Sequence, residues 1–176
     1  MVDSEILLRR LLPDAADELA EMANNFKIWS NLLDTMPHPY SKEDAVRFIE
    51  MVSGESPTTT FGIHIDGKLC GVIGINPKED VYRFNMELGF WIGEKYWGRG
   101  IATEAARQII SIAFNTHHAN RLTASVFEGN HASMKVLTNN GFSKIGVGKK
   151  AVYKNRLYLD EHYFELLNQH RTAPAE

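Results

Sequence analysis

From Lys95 to Ala105 the chain reads Lys-Tyr-Trp-Gly-Arg-Gly-Ile-Ala-Thr-Glu-Ala. The apolar run Met86 to Ile92 precedes it and reads as a buried strand, and a segment with helical periodicity follows. Strand, glycine-bearing loop and helix start together make an anion site. Gly98 and Gly100 let a ligand approach the backbone, and the first-turn N–H groups of Ile101, Ala102 and Thr103 have no intrahelical acceptors. A diphosphate is the natural guest, and Lys95 and Arg99 could add positive charge, although exposed cations beside a loop are usually just solvated. The string is not a G-x-x-x-x-G-K-[ST] loop, and Thr103 stands where a dinucleotide fingerprint would have its third glycine. Taken alone, the two glycines also fit a plain structural turn.

Two further positions could carry chemistry. Glu87 sits inside the otherwise apolar strand beside this loop; burial would make its carboxylate a stronger base, whereas a half-exposed strand would simply turn it to solvent. Asn130-His131-Ala132-Ser133 opens another helix, with Asn130 a favoured N-cap and Ser133 unremarkable at the third helical position. Cys70, the single cysteine, lies in the strand-like Leu69 to Ile73 and reads as a small core residue rather than a nucleophile. His117-His118 falls at a helix end, where a dipole contact is the expected role and a metal site is not.

The chain has 176 residues, enough for one domain with a real core, and 44% of them are apolar. Its formal net charge of −3 offers no footprint for nucleic acid. No apolar run approaches membrane-spanning length, no secretion signal opens the chain, and a lone cysteine suits a reducing cytoplasm. Cytoplasmic location without nucleic-acid or membrane partners is the expectation.

The elements around the loop are legible from periodicity. Ile6 to Arg9 reads as a strand, Pro13 to Asn24 as a helix, and Phe26 to Leu33 as a second short helix. Met36 to Tyr40 must be irregular because of its two prolines, and Ser41 and Asp44 form a variant capping box that starts a helix through Val52. Thr58 to Ile65 and Lys68 to Asn76 flank Asp66-Gly67, a two-residue hairpin signal. Phe84 to Ile92 is a strand, Gly100 to about Asn115 a helix, Arg121 to Phe127 a strand, and Asn130 to Asn140 a helix closed by Gly141 and Phe142. Ser143 to Val152 and Leu157 to Leu167 are late strands, and Thr172 to Glu176 is a loose tail. This order is α+β with a mixed sheet.

The glycine loop resembles the acyl-CoA pyrophosphate loop of the GNAT N-acetyltransferases, Gln/Arg-x-x-Gly-x-Gly/Ala, with Lys95 departing from Gln or Arg. The wording Tyr96-Trp97-Gly98 through Ala105 is similar to the RimJ/RimL branch, as is Asn130-x-x-Ser133 followed by Val136, Leu137, Gly141 and Phe142. The resemblance covers nearly the whole chain. It implies a single GNAT domain over 1–176, with a mixed central sheet and helices on both faces, and acetyl-CoA as the acetyl donor. It also implies direct attack by an amine, with Glu87 accepting the proton, directly or through water, and Ser133 assisting the departing sulfur. Asn130 and the backbone of Phe90, Trp91 and Ile92 would hold the pantetheine arm, and the stretch from Lys95 to Thr103 the diphosphate. Asn31 to Tyr40 and the late Tyr158-x-Asp160-x-x-Tyr163 strand resemble the parts of this branch that face the acceptor. Trp29, His38, Tyr40, Tyr158 and Asp160 are therefore candidate acceptor residues, with core or lid packing as the alternative for the first three. Arg156 replaces a turn glycine common in the branch, which leaves the hairpin's shape open.

The expected activity is transfer of an acetyl group to a primary amine, foremost an N-terminal α-amine of a protein or peptide. An α-amine titrates near about 8, so much of it is neutral at working pH, while a lysine amine near about 10.4 costs several kcal/mol more to deprotonate. A small-molecule amine (polyamine, aminoglycoside or amino-acid derivative) is the alternative, and a non-catalytic CoA-binding regulator the second. Monomer and homodimer both fit.

Overall fold

Seven strands make one sheet in the computed structural model, which describes residues 5–169. They are β1 (Ile6–Arg9), β2 (Thr60–Ile65), β3 (Lys68–Pro77), β4 (Asn85–Ile92), β5 (Arg121–Phe127), β6 (Ser143–Lys154) and β7 (Leu157–Leu167), arranged β1-β2-β3-β4-β5-β7-β6. Every neighbouring pair is antiparallel except β4 and β5, which run parallel, so the sheet is mixed, as the element order predicts. The proposed tail at Thr172 to Glu176 lies outside the described residues.

The helices are α1 (Ala16–Ala23), α2 (Phe26–Trp29), α3 (Lys42–Ser53), α4 (Ile101–Asn115) and α5 (His131–Asn139). Contacts assign them to two layers. Met22 of α1 lies under Gly93, where a Cβ would meet its sulfur at 2.9 Å, and α3 packs beside α1. Gly141, just after α5, lies against Leu166 on the opposite face of the sheet, and α4 packs beside α5. The wide apolar stripe of α4 buries Ile101, Ala105, Ala106, Ile109 and Ala113.

Local chemistry fixes the element ends. The Ser41 hydroxyl accepts from the Asp44 N–H at 3.2 Å, and the Asp44 carboxylate accepts from the Ser41 N–H at 2.8 Å, the reciprocal capping box expected at the start of α3. After α5, Gly141 takes a φ of 84° while the Phe142 N–H donates to the Leu137 carbonyl and that of Gly141 to Thr138. Asn155 and Arg156 turn the β6–β7 hairpin with φ values of 49° and 64°, so Arg156 occupies the left-handed position where the branch has glycine.

Two helices differ from the sequence reading. The segment from Pro13 starts as a 3-10 turn and becomes α-helical only at Ala16. The short helix ends at Trp29 rather than Leu33, because the Ser30 hydroxyl and the Asn31 amide both bond back to the Lys27 carbonyl, at 3.2 and 2.9 Å, and compete with helical pairing. Cys70 is the core residue expected: it is fully buried, its thiol donates to the Ile63 carbonyl at 3.1 Å, and burial pushes its pKa up to about 11.

Beneath the glycine loop, β3 and β4 approach closely at Gly71. A Cβ there would lie 2.3 Å from the Trp91 carbonyl oxygen and 3.0 Å from the Ile92 Cα, both backbone atoms. Gly71→Ala therefore has to push β4 off β3, and we expect a loss of about 3 kcal/mol. Urea denaturation measures it; a wild-type midpoint would show that the strands separate at no cost.

Candidate active site

The site begins where the two parallel strands part. β4 and β5 pair at Asn85–Arg121, Met86–Leu122 and Glu87–Thr123, and no further along. β4 stays with β3 through Ile92, and β5 stays with β7 through Phe127, so a wedge opens between Leu88–Ile92 and Ala124–Phe127. A cavity of about 820 Å³ fills this wedge and continues between the α4 and α5 N-termini.

Ladder parity tells which backbone groups face the wedge. The Lys78 N–H donates to Asn85 and that of Gly93 to Cys70, so the odd-numbered residues of β4 spend their polar groups on β3. The Leu88 carbonyl and both polar groups of Phe90 thus point toward the departed β5. Of the Phe90-Trp91-Ile92 trio read from the sequence, Trp91 is corrected: its backbone is committed to Val72 of β3, and only its side chain lines the cavity. The Ile92 carbonyl is taken by the Trp97 indole N–H at 2.6 Å.

On the α4 and α5 face, Gly98 and Gly100 adopt φ values of 72° and 76°, and a Cβ at either would have nothing within 4 Å. Backbone therefore lines the cavity directly there. The first helical bond of α4 runs from the Glu104 N–H to Gly100, which leaves the N–H groups of Ile101, Ala102 and Thr103 without intrahelical acceptors, and no side chain caps them. Uncapped donors at the positive end of a fifteen-residue helix fit a diphosphate. Arg99 lines the cavity. Lys95 does not: it is exposed, with its Nζ 5.2 Å from the Tyr96 ring centroid.

Next to α4, the Asn130 side chain accepts from the Ser133 N–H at 3.2 Å and caps α5, as its residue type predicts. The bond uses the backbone of Ser133, so the hydroxyl is not the capping group. Both residues line the cavity and are half-buried. The Asn140 amide bonds the Thr103 carbonyl at 3.1 Å and ties α5 to the start of α4.

Glu87 lines the cavity at the apex of the wedge, and of the two readings its sequence left open, the half-exposed one is found. It is 38% exposed and ion-paired with Lys78, because its side chain points to the α1 face, where the sheet is not fully covered.

The acceptor residues read from sequence mostly stand elsewhere. Tyr40 is a core residue: it is buried, its N–H is held by the Asn24 side chain at 3.0 Å, and burial pushes its phenol up to about 12. Trp29 and His38 stack on each other at 5.4 Å outside the cavity. Tyr158 is 67% exposed at the hairpin and packs on Tyr153. Asp160 accepts from the Lys149 ammonium at 2.7 Å and the Lys150 N–H at 2.9 Å, which hold its carboxyl below the usual range. Its neighbour Glu161 lines the cavity instead. Strand alternation carried that signal: Phe164 is core, so Asp160 shares its face and Glu161 and Tyr163 share the other. Tyr163 hydrogen-bonds Glu161, which raises the phenol's pKa. Asn31, Leu32 and Leu33 of the Asn31–Tyr40 segment line the cavity, together with Ile28, which the sequence left unassigned.

No group of three or more His, Cys, Asp or Glu residues among the described residues could hold a metal ion, and no helix is long and apolar enough to cross a membrane.

Comparison with known proteins bears on this wedge. The acetyltransferase (GNAT) domain profile matches residues 5–143. The chain is 30% identical to the putative ribosomal N-acetyltransferase YdaF of Bacillus subtilis (strain 168), over 96% of this chain and 94% of that one. A solved structure described as a probable acetyltransferase superposes with a TM-score of 0.84 at 28% identity, covering 97% of both chains. RimL, a ribosomal α-N-protein acetyltransferase solved in complex with coenzyme A, shares the fold with a TM-score of 0.82 at 20% identity, covering 95% of this chain and 96% of that one. With its wedge, its left-handed glycines and a profile match across most of its length, the chain belongs to the GNAT family of N-acetyltransferases, shares its fold with RimL, and takes its acetyl group from acetyl-CoA.

Proposed function

We propose that the acceptor is an N-terminal α-amine of a protein or peptide. The observation that carries this reading is the character of the cavity on the α1 face. Glu87 stands at its apex and Glu161 on its far wall, and its rim is apolar, with Leu33 66% exposed. Two carboxylates, one of them already paired with Lys78, suit a single ammonium, and apolar lining residues suit the first side chains of a peptide. A polyamine would want a row of acids. The ribosomal naming of the relative YdaF points the same way.

The bound donor supplies an activated thioester. This chain's residues then do the rest. The uncapped α4 N-terminus and Gly98–Gly100 hold the diphosphate, and the pantetheine arm takes the place of the missing strand partner along the free polar groups of Phe90. Asn130 flanks that arm. Glu87, or a water held by it, takes the proton lost as the amine nitrogen bonds the carbonyl carbon. The Ser133 hydroxyl offers its proton toward the sulfur that leaves. The amine attacks directly, and no side-chain nucleophile takes part; the one cysteine, Cys70, is buried with a raised pKa.

Three measurements test this. In a mixed pool of peptides, spermidine, an aminoglycoside and free amino acids, peptide N-termini should carry the acetyl groups by mass spectrometry; acetyl groups found only on a small amine would overturn the acceptor assignment and leave the acetyltransferase standing. Glu87→Gln should lower kcat by about 10²–10⁴-fold with an unchanged Kd for acetyl-CoA, and a variant within about twofold of wild type would remove Glu87 from proton transfer. Ser133→Ala keeps the cap bond, which uses the backbone, so its Tm should hold while kcat falls by up to about 10²-fold. A lower Tm with an intact rate per folded molecule would make the hydroxyl structural.

A further inference from the structure

Lys154 has no place in the chemistry above, yet it is the one buried charged residue among those described, at 3% exposure. It ends β6, at the tip of the hairpin. Its Nζ lies 3.6 Å from the centroid of the Trp29 ring and 2.6 Å from Asp34 Oδ1. A buried ammonium is costly unless paired, and these two partners come from a single stretch, the end of α2 and the loop behind it. His38 stacks on Trp29 at 5.4 Å and closes that loop on itself.

The other end of the same stretch is tied to the opposite side of the wedge. Lys27 is ion-paired with Glu94, and the Asn25 amide donates to Glu94 at 2.8 Å. Glu94 follows β4 directly, in the turn that leads to the glycine loop. Residues 25–34 therefore form a strap from the β4 side to the β6–β7 hairpin, across the wedge that β4 and β5 leave open. Ile28, Leu32 and Leu33 of the strap line the cavity opposite the α4 N-terminus.

We propose that Lys154 is a positioning residue for the acceptor: by gripping Trp29 and Asp34 it sets where the strap lies, and with it the apolar rim that receives the amine's substituent. The inference rests on reading the α1 face of the cavity as the acceptor side, not on which amine is accepted. Lys154 is not among the residues lining the cavity, and its ammonium meets Trp29 and Asp34, so it acts through them. The donor side is built from Gly98 to Thr103 and α5, whereas the partners of the Lys154 ammonium, Trp29 and Asp34, lie on the strap.

Steady-state kinetics on the intact chain, varying acetyl-CoA and acceptor separately, test it. The acceptor is the amine the wild type acetylates fastest in the pool described above, so a wrong α-amine assignment changes the probe and not the readout. Lys154→Met should raise the acceptor KM about tenfold, the scale of a desolvated cation–π and ion-pair contact, with the acetyl-CoA KM within about twofold. Lys154→Arg keeps a cation over Trp29 and should restore most of the acceptor KM. Asp34→Asn alters only the exposed end of the contact and should move the acceptor KM the same way by less; it decides the matter if Lys154→Met does not fold. Equal rises in both KM values, no rescue by Arg, or an unchanged acceptor KM in a folded Lys154→Met or Asp34→Asn would each overturn the proposal.

Discussion

The contact on which the structure depends is the parallel ladder between β4 and β5, which ends at Glu87–Thr123. These are the only parallel neighbours in the sheet. Antiparallel neighbours such as β2 and β3, or β6 and β7, are tied at one end by two-residue turns, so their strands cannot drift apart there. β4 and β5 are joined by the long crossover through α4, and nothing covalent holds their C-terminal ends together. Each keeps its other partner to the end of the strand, β3 for one and β7 for the other, and the sheet splits between them. Polar backbone that would have closed the ladder is left facing a cavity, which in a folded protein demands a partner.

Once the sheet has split, three elements converge on the gap from different directions. The N-termini of α4 and α5 approach from one face and bring N–H donors with no cost in side-chain entropy. The strap approaches from the other, and brings apolar side chains held by ion pairs at each end. The two anchors are unequal. Lys27–Glu94 is exposed and contributes little, as solvated pairs do, whereas Lys154 is buried and can relax nowhere else. The hairpin end of the strap is the firm one and the glycine-loop end the yielding one.

How much of this the sequence carried depends on the kind of signal. Motifs that fix backbone geometry were legible: Gly98 and Gly100 announce left-handed turns, Asn130 and Ser41 announce caps, and Asp66-Gly67 a hairpin, because few residue types serve at such positions. The mixed sheet followed from element order, and the helices on both faces from the family resemblance. Side-chain assignments fared worse. Apolar neighbours left the burial of Glu87 open, and only its place in the strand alternation turns it to the half-exposed face. Asp160 was chosen by motif over Glu161, although the core position of Phe164 four residues on assigns them opposite faces. Trp29 and Lys154 meet across 125 positions of sequence, and no local pattern encodes that contact.

These limits have a common physical origin. The donor side is built from backbone, whose requirements fall on glycines and helix starts and therefore leave marks in the sequence. The proposed acceptor side is built from side chains on a strap that is irregular, because Ser30 and Asn31 end α2 early and prolines follow. Backbone donors would meet a diphosphate in the same way whatever side chains surround them, so under the proposed reading that half of the reaction tolerates substitution elsewhere. A strap held by a few side-chain contacts can change its lining residues, Leu32 and Leu33 among them, without disturbing the sheet beneath. Acceptor choice is thus separable from acetyl transfer in this chain, and the division runs along the line where β4 and β5 part.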